Sequence, residues 1–328
     1  MMRAAGGLLV GGLAVVLVAC GSCGGGGSNG NGSSGGGDDG GGAEAAVEAG
    51  PSSTQACTDF AAALCGRLEA CTPAALQIAY GDVGTCTTRS AILCSAGLAA
   101  PGTQATPAQM EACAAAVAAE TCDESLDNPQ PSACDIPGAV ANGSVCGSHS
   151  QCQSGYCKPT MGTLCGTCAG HAGASAQCTA DIDCQATLIC NNGSCVGPAA
   201  AGATCGTTAP CMRTLACLNG KCAAPGGAGA SCTASTDCDG ARGFYCNTQT
   251  KQCTQTQFVS SGQPCGIVSN NIAVCTASET CVNIVNAAGT CHQVAADGAP
   301  CGPGIGCLPP ALCSATARCT VPNPSVCH

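Results

Sequence analysis

The stretch Gly202-Ala203-Thr204-Cys205-Gly206-Thr207-Thr208-Ala209-Pro210-Cys211-Met212-Arg213-Thr214-Leu215-Ala216-Cys217-Leu218-Asn219-Gly220-Lys221-Cys222 sets four cysteines in the spacing C-x5-C-x5-C-x4-C. The unit before it, Cys178, Cys184, Cys190 and Cys195, has the same spacing. A third, opened by Gly229, carries Cys232, Cys238, Cys246 and Cys253, and Gly262 opens an expanded one with Cys265, Cys275, Cys281 and Cys291. Gly298 opens a unit with Cys301, Cys307, Cys313 and Cys319. A divergent first unit, opened by Gly143, has Cys146, Cys152, Cys157, Cys165 and Cys168, and Cys327 stands alone at the tail. Self-similarity at a fixed period decides the fold class before any single residue does. Residues 135–327 read as six tandem cysteine-rich repeats.

Units of about 27–36 residues are too small to bury a core unaided. Asn192-Gly193 and Asn219-Gly220 each lie between the last two cysteines of a unit. Asn-Gly between short runs signals a two-residue type I′ hairpin. Leu188-Ile189, Leu215-Ala216 and Phe244-Tyr245, just before the third cysteine, are the candidate miniature cores. Four cysteines allow three pairings. First to third with second to fourth is preferred, because it ties the hairpin to the preceding loop and closes more chain.

Composition agrees. Of 328 residues 36 are Cys and 48 are Gly, there is no Trp, and aromatic residues make up 2%. Apolar burial contributes about 25 cal/mol per Å², and six aromatics cannot build a large enzyme core on it. Cysteine at this density marks a disulfide scaffold in an oxidising compartment. The net charge of −10 has no Lys/Arg cluster, which excludes nucleic acid as an expected partner.

Ahead of the repeats, residues 51–134 read as a small disulfide-stapled α-helical domain. Cys57, Phe60, Ala61, Leu64, Cys65, Leu68 and Cys71 share one helical face, with Ser52 and Gln55 as a capping box. A second helix starts at Thr106-Pro107-Ala108-Gln109 with the face Met110, Cys113, Ala114, Val117, Ala118 and Thr121. Shorter helices are predicted from Thr72-Pro73 to Tyr80 and from Arg89 to Leu98. Cys57, Cys65, Cys71, Cys86, Cys94, Cys113, Cys122 and Cys134 are the candidate staples. The fold expected is therefore small disulfide-rich modules in tandem, with short β-hairpins and little regular structure, behind a helical unit.

Residues 1–19 read as a signal peptide, with Arg3 before the uncharged run Ala4 to Val18. The run ends Leu17-Val18-Ala19-Cys20, which resembles the bacterial lipobox. The resemblance implies acylation at Cys20 and a lipid anchor in the membrane. Gly21, in place of the aspartate of inner-membrane retention, points to the outer membrane or cell surface. Residues 20–50 hold almost nothing apolar and read as a disordered Gly/Ser-rich tether. Gly26-Gly27-Ser28-Asn29-Gly30 matches the hydrolase elbow only as low complexity. Setting Cys20 and Cys23 aside leaves 34 cysteines, an even number, so Cys23 is the odd thiol and could link two molecules.

Cys146-x5-Cys152-Gln153-Ser154-Gly155-Tyr156-Cys157, followed by Cys165-Gly166-Thr167-Cys168, resembles the amino-terminal cysteine-rich domain of Dickkopf proteins. The array over 135–327 is also similar to tandem modules of bacterial surface lipoproteins. The late paired cysteines of a full Dickkopf module are missing, so the resemblance implies a protein-binding or structural module and no signalling role. A non-enzymatic envelope protein with a protein or polysaccharide ligand is the leading expectation.

Rival chemistry is thin. The alternative reading is an exported redox or hydrolytic enzyme that uses the C-x-x-C pair Cys165/Cys168 or an unrecognised site. A metal-binding array would need reduced thiols, so no metal and no cofactor is expected. His149, His171, His292 and His328 are scattered and expected at the solvent. Asp181, Asp183, Asp237 and Asp239 flank second cysteines and are expected to cap turns rather than bind Ca²⁺.

Overall fold

The computed structural model describes residues 50–127, 131–160 and 165–327. The expectations for the signal peptide 1–19, Cys20, Cys23, His328 and nearly all of the tether lie outside these residues.

Five α-helices come first. α1 (Ser53–Cys71) begins where the Ser52 hydroxyl accepts the Gln55 N–H at 3.2 Å. The other half of the expected capping box does not form, because the Gln55 amide donates to the Asp59 carboxylate instead. α2 (Pro73–Ala79) has proline at its first turn, where a missing N–H costs nothing. α3 (Val83–Leu98) starts six residues earlier than predicted. The Asp82 carboxylate accepts the Thr85 N–H at 2.8 Å, and this cap overrides the poor helix formers Gly84 and Thr85. α4 (Pro107–Ala119) has a complete capping box between Thr106 and Gln109.

Ala118 and Thr121, assigned from the sequence to the apolar face of α4, are exposed. Thr121 instead caps α5 (Cys122–Asp127), a helix the sequence reading missed: its hydroxyl accepts the Glu124 N–H while the Glu124 carboxylate accepts the Thr121 N–H.

α1 packs against both α3 and α4. Phe60, Leu98, Met110, Val117 and Ile136 form one small core with alanines and cysteines, and Leu76, Ala79 and Tyr80 form a second. Bridges do what larger side chains would otherwise do. Cys57–Cys94 and Cys65–Cys86 staple α1 to α3, Cys71–Cys122 staples α1 to α5, and Cys113–Cys134 fixes the end of the unit to α4.

The six modules repeat one backbone device. The residue three positions before the first cysteine has a positive φ: Gly143, Ser175, Gly202, Gly229, Gly262 and Gly298, between 66° and 90°. In each case its N–H donates to the carbonyl of the module's last cysteine at 2.7–2.9 Å. That cysteine's N–H donates back to the next residue along, for example Cys222 to Ala203 and Cys195 to Ala176, both at 2.9 Å. A short parallel pairing then sets the incoming chain beside the second cysteine, as in Ala172 with Cys184, Ala199 with Cys211 and Gly226 with Cys238.

The hairpin closes the unit. Ile189–Asn191 pairs with Ser194–Val196, and Ala216–Leu218 with Lys221–Ala223. Positive φ at Asn192 and Gly193, and at Asn219 and Gly220, makes both turns type I′. The expanded fifth module has a five-stranded sheet in the order Gln257–Val259, Asn271–Cys275, Pro264–Val268, Ala288–His292, Thr280–Val285.

Five modules bond first to third and second to fourth cysteine: Cys178–Cys190 and Cys184–Cys195, Cys205–Cys217 and Cys211–Cys222, Cys232–Cys246 and Cys238–Cys253, Cys265–Cys281 and Cys275–Cys291, Cys301–Cys313 and Cys307–Cys319. The first module bonds Cys146–Cys157 and Cys152–Cys168 and passes over Cys165, which reaches Cys327 across 162 residues.

That long bridge turns the array into a closed belt laid against the helices. The Ala139 N–H of module 1 donates to Gly102 O at 2.7 Å, and the Gln151 amide to Pro101 O at 2.8 Å. Module 3 gives the Arg213 N–H to Asp127. In module 5 the Ala277 and Ser278 N–H groups donate to Gln77 and Ile78, and the Ser278 hydroxyl to Ala79, which satisfies carbonyls left over at the end of α2. On α3, Arg89 donates to both oxygens of Asp297 and to the carbonyls of Pro309 and Leu308 in module 6.

Ser175 occupies a left-handed position that glycine fills in the other five modules. A side chain there costs roughly 1–2 kcal/mol, while glycine loses some of that gain through unfolded-chain entropy. Ser175→Gly should therefore stabilise module 2 by about 0.5–1 kcal/mol. Gly202→Ala, which meets no atom within 4 Å, should destabilise module 3 by about 1 kcal/mol. Guanidinium melts of the oxidised protein check both signs.

Candidate functional site

The cysteines are accounted for first. All 34 from Cys57 to Cys327 are in disulfides, so none of the described cysteines is a thiolate. The C-x-x-C is not a couple: Cys165 bonds Cys327 and Cys168 bonds Cys152. The two sulfurs of the motif are therefore not bonded to each other, and the chain between them lies in the strand Gly166–Cys168. An extended strand carries the two side chains away from each other.

In several modules three sulfurs lie within 4.8 Å of one another, among them Cys178, Cys184 and Cys195. Such closeness suits a thiolate metal centre. Here it arises from two bridges lying side by side, whose sulfurs carry no charge.

The aspartates act on the backbone. One Asp183 oxygen accepts the N–H groups of Thr179 and Ala180 and the Thr179 hydroxyl. Asp237 repeats the pattern on Thr233 and Ala234. Asp239 accepts the Arg242 N–H, and Asp181 accepts the Cys190 N–H while pairing with Arg213 at 2.6 Å. For Asp237 the Thr233 and Ala234 N–H bonds hold the carboxyl below its ordinary pKa.

Two of the histidines depart from expectation. His292 is exposed, but His149 and His171 sandwich Tyr156, with ring centroids 5.4 and 4.5 Å away and planes within 10° and 23° of parallel. The stack spans two modules: His149 and Tyr156 belong to module 1, and His171 opens module 2. Tyr156, 1% exposed, donates its hydroxyl to Asp183 of module 2. His171 Nδ1 lies 2.9 Å from Ile182 O, which makes it a donor. His149 Nδ1 accepts the Cys157 N–H at 3.0 Å. That bond fixes the neutral tautomer with its proton on Nε2.

Electrostatics follow from this enclosure. Desolvation, reinforced by the nearby His171, pushes His149 down to about 4. Burial raises Tyr156, and its bond to the Asp183 carboxylate raises it further. Burial alone would raise Asp183 too, but the Tyr156 hydroxyl and the Thr179 and Ala180 donors outweigh it and hold the carboxyl ionised. The Tyr156 hydroxyl, the Asp183 carboxylate and Nδ1 of both histidines are thus all hydrogen-bonded. What the arrangement does is lock module 1 to module 2 through a desolvated aromatic joint. Its partners come from two repeats, 27 residues apart for Tyr156 and Asp183, which is why repeat spacing alone did not reveal it.

Comparison with protein-family models, with curated proteins and with solved structures found no match.

Protonating His149 would place a hydrogen on Nδ1 against the Cys157 N–H. Its folded pKa lies below the unfolded value of 6.5, so its contribution is present above pH 6.5 and falls away as pH drops toward 4. The loss should reach about 3 kcal/mol and level off below pH 4. Chemical-shift titration of His149 and amide exchange at Cys157 should show opening of this joint in that window, and His149→Gln should flatten the profile.

Proposed function

We propose that the protein is a non-enzymatic, lipid-anchored component of the cell envelope, with a structural or ligand-binding role toward an extracellular protein or polysaccharide. The observation that carries this reading is the complete pairing of the 34 described cysteines. Disulfides at that density persist in exported proteins and not in a reducing cytosol. Tandem disulfide modules with exposed turns are a common way to present binding loops on little buried surface, and the resemblance of the Cys146–Cys168 spacing to the Dickkopf domain, read from the sequence alone, is in keeping with that use.

The anchor reading rests on Leu17-Val18-Ala19-Cys20 and on the Gly-rich stretch behind it. At about 5–6 Å × √n, a thirty-residue tether has a mean reach of roughly 30 Å. Such a tether would hold the helical unit and its belt clear of the headgroups at the outer membrane or cell surface. Acylation by more than one chain gives a stable anchor, whereas a single chain is marginal.

Two results would bear the proposal out. The membrane-extracted protein should carry acyl mass on Cys20, and Cys20→Ala should move it to the soluble fraction. An unacylated amino terminus, or retention of Cys20→Ala in the membrane, would contradict the anchor. Thiol-disulfide exchange catalysed by the fully oxidised protein would contradict the non-enzymatic role.

A further inference from the structure

We infer that the Cys165–Cys327 bond is a buckle: its reduction by a dithiol opens the module belt around the helical unit and leaves every module folded. The other sixteen bridges close within one module or within the helices, over 11 to 51 residues. Cys165–Cys327 alone joins distant parts, module 1 to the carboxy-terminal tail, over 162 residues. Module 1 keeps Cys146–Cys157 and Cys152–Cys168 when the buckle opens. The tail beyond Cys319 has no other bridge among the described residues.

The surfaces beneath the belt are suited to parting. The polar contacts with the helices are Arg213 to Asp127, Thr214 to Asp123, Ala277 and Ser278 to the end of α2, and the Arg89–Asp297 ion pair, while the short turns Gly240–Arg242 and Pro324–Val326 pack on α2 and α3. Water can take over these bonds as the belt lifts, and the strongest of them, the Arg89–Asp297 pair, has its carboxylate 42% exposed. The tail is lodged by shape as well as by sulfur. A Cβ on Gly147 would lie 2.6 Å from Pro324, so module 1 and the tail are in close contact at the buckle.

Selectivity comes from chain length. Once reduced, a module's two thiols stay within a loop of about 12 residues that the hairpin and a second bridge hold in place, and they re-form readily. The buckle thiols must find each other across 162 residues. Those residues are folded modules, so once the belt lifts nothing short holds Cys165 beside Cys327, and re-formation is less favoured than inside a module. Cys165 is partly exposed and Cys327 is buried, so attack falls on Cys165. A thiolate of the dithiol bonds to Cys165 Sγ, the S–S bond breaks, and its electron pair leaves on Cys327, which takes a proton. The second thiolate then displaces Cys165, which is protonated in turn, and the dithiol ends as its own disulfide.

Graded dithiothreitol on the whole oxidised protein, followed by alkylation and peptide mass mapping, tests the chemistry. Cys165 and Cys327 should be labelled at about tenfold less dithiol than Cys205 and Cys217. Cys217 is the more exposed residue, so an order set by access alone is the reverse, and that reverse order overturns the proposal. Amide exchange on Cys165→Ser/Cys327→Ser tests the consequence. The Ala277 and Ser278 amides should exchange at least about tenfold faster, while those of Cys195 and Cys222 stay unchanged. Unaltered exchange at Ala277 and Ser278 overturns it equally.

Discussion

Two disulfides lying side by side hold each module, and everything else in the array depends on that crossing. A loop of about 12 residues closed by a bridge gains roughly 3 kcal/mol over the open chain. The apolar contribution per module is small by comparison: Ile189 is the one fully buried aliphatic side chain of module 2, and Ala216 takes the equivalent place in module 3. Sulfur therefore takes the position that a hydrophobic core holds in larger domains. The buried clusters of modules 1, 2, 4, 5 and 6 consist mainly of the cysteines themselves.

The backbone device and the bridges reinforce one another. A left-handed residue three positions before the first cysteine turns the chain so that its N–H meets the last cysteine's carbonyl. The reciprocal bond pins the final hairpin strand against the opening turn, and this sets the second and fourth cysteines at bridging distance. The helical unit uses the same economy. α1, α2 and α4 are rich in alanine, α1, α3 and α4 begin at side-chain caps, and three of the unit's four bridges run to α1. The long bridge at Cys165–Cys327 then holds both units as one body, through contacts from modules 1, 3, 5 and 6.

Much of this was legible in the residues, and the failures have physical causes. Local signals carried α1, α2 and α4, because Ser52, Pro73 and the Thr106–Gln109 box act on their own first turns. The start of α3 was misjudged because Gly84 and Thr85 are poor helix formers and one Asp82 bond decides the matter. α5 was missed because six residues show no periodicity, and its helix depends on the Thr121–Glu124 pair and the Cys71–Cys122 bridge. The Asn-Gly turns were readable because type I′ geometry demands those residues. Five cysteines in module 1 and one in the tail were a parity signal for Cys165–Cys327. Nothing local pointed to the His149–Tyr156–His171 stack, since it assembles only when two repeats meet.

Bridge connectivity in the native protein tests the central claim most directly. Non-reducing digestion and mass spectrometry of the native protein, alkylated as it is isolated, should find first-to-third and second-to-fourth cysteine links in modules 2 to 6, together with Cys165–Cys327. Adjacent-cysteine links within the modules, or a majority of free thiols in a protein that keeps its shape, would contradict an account in which crossed disulfides hold the fold.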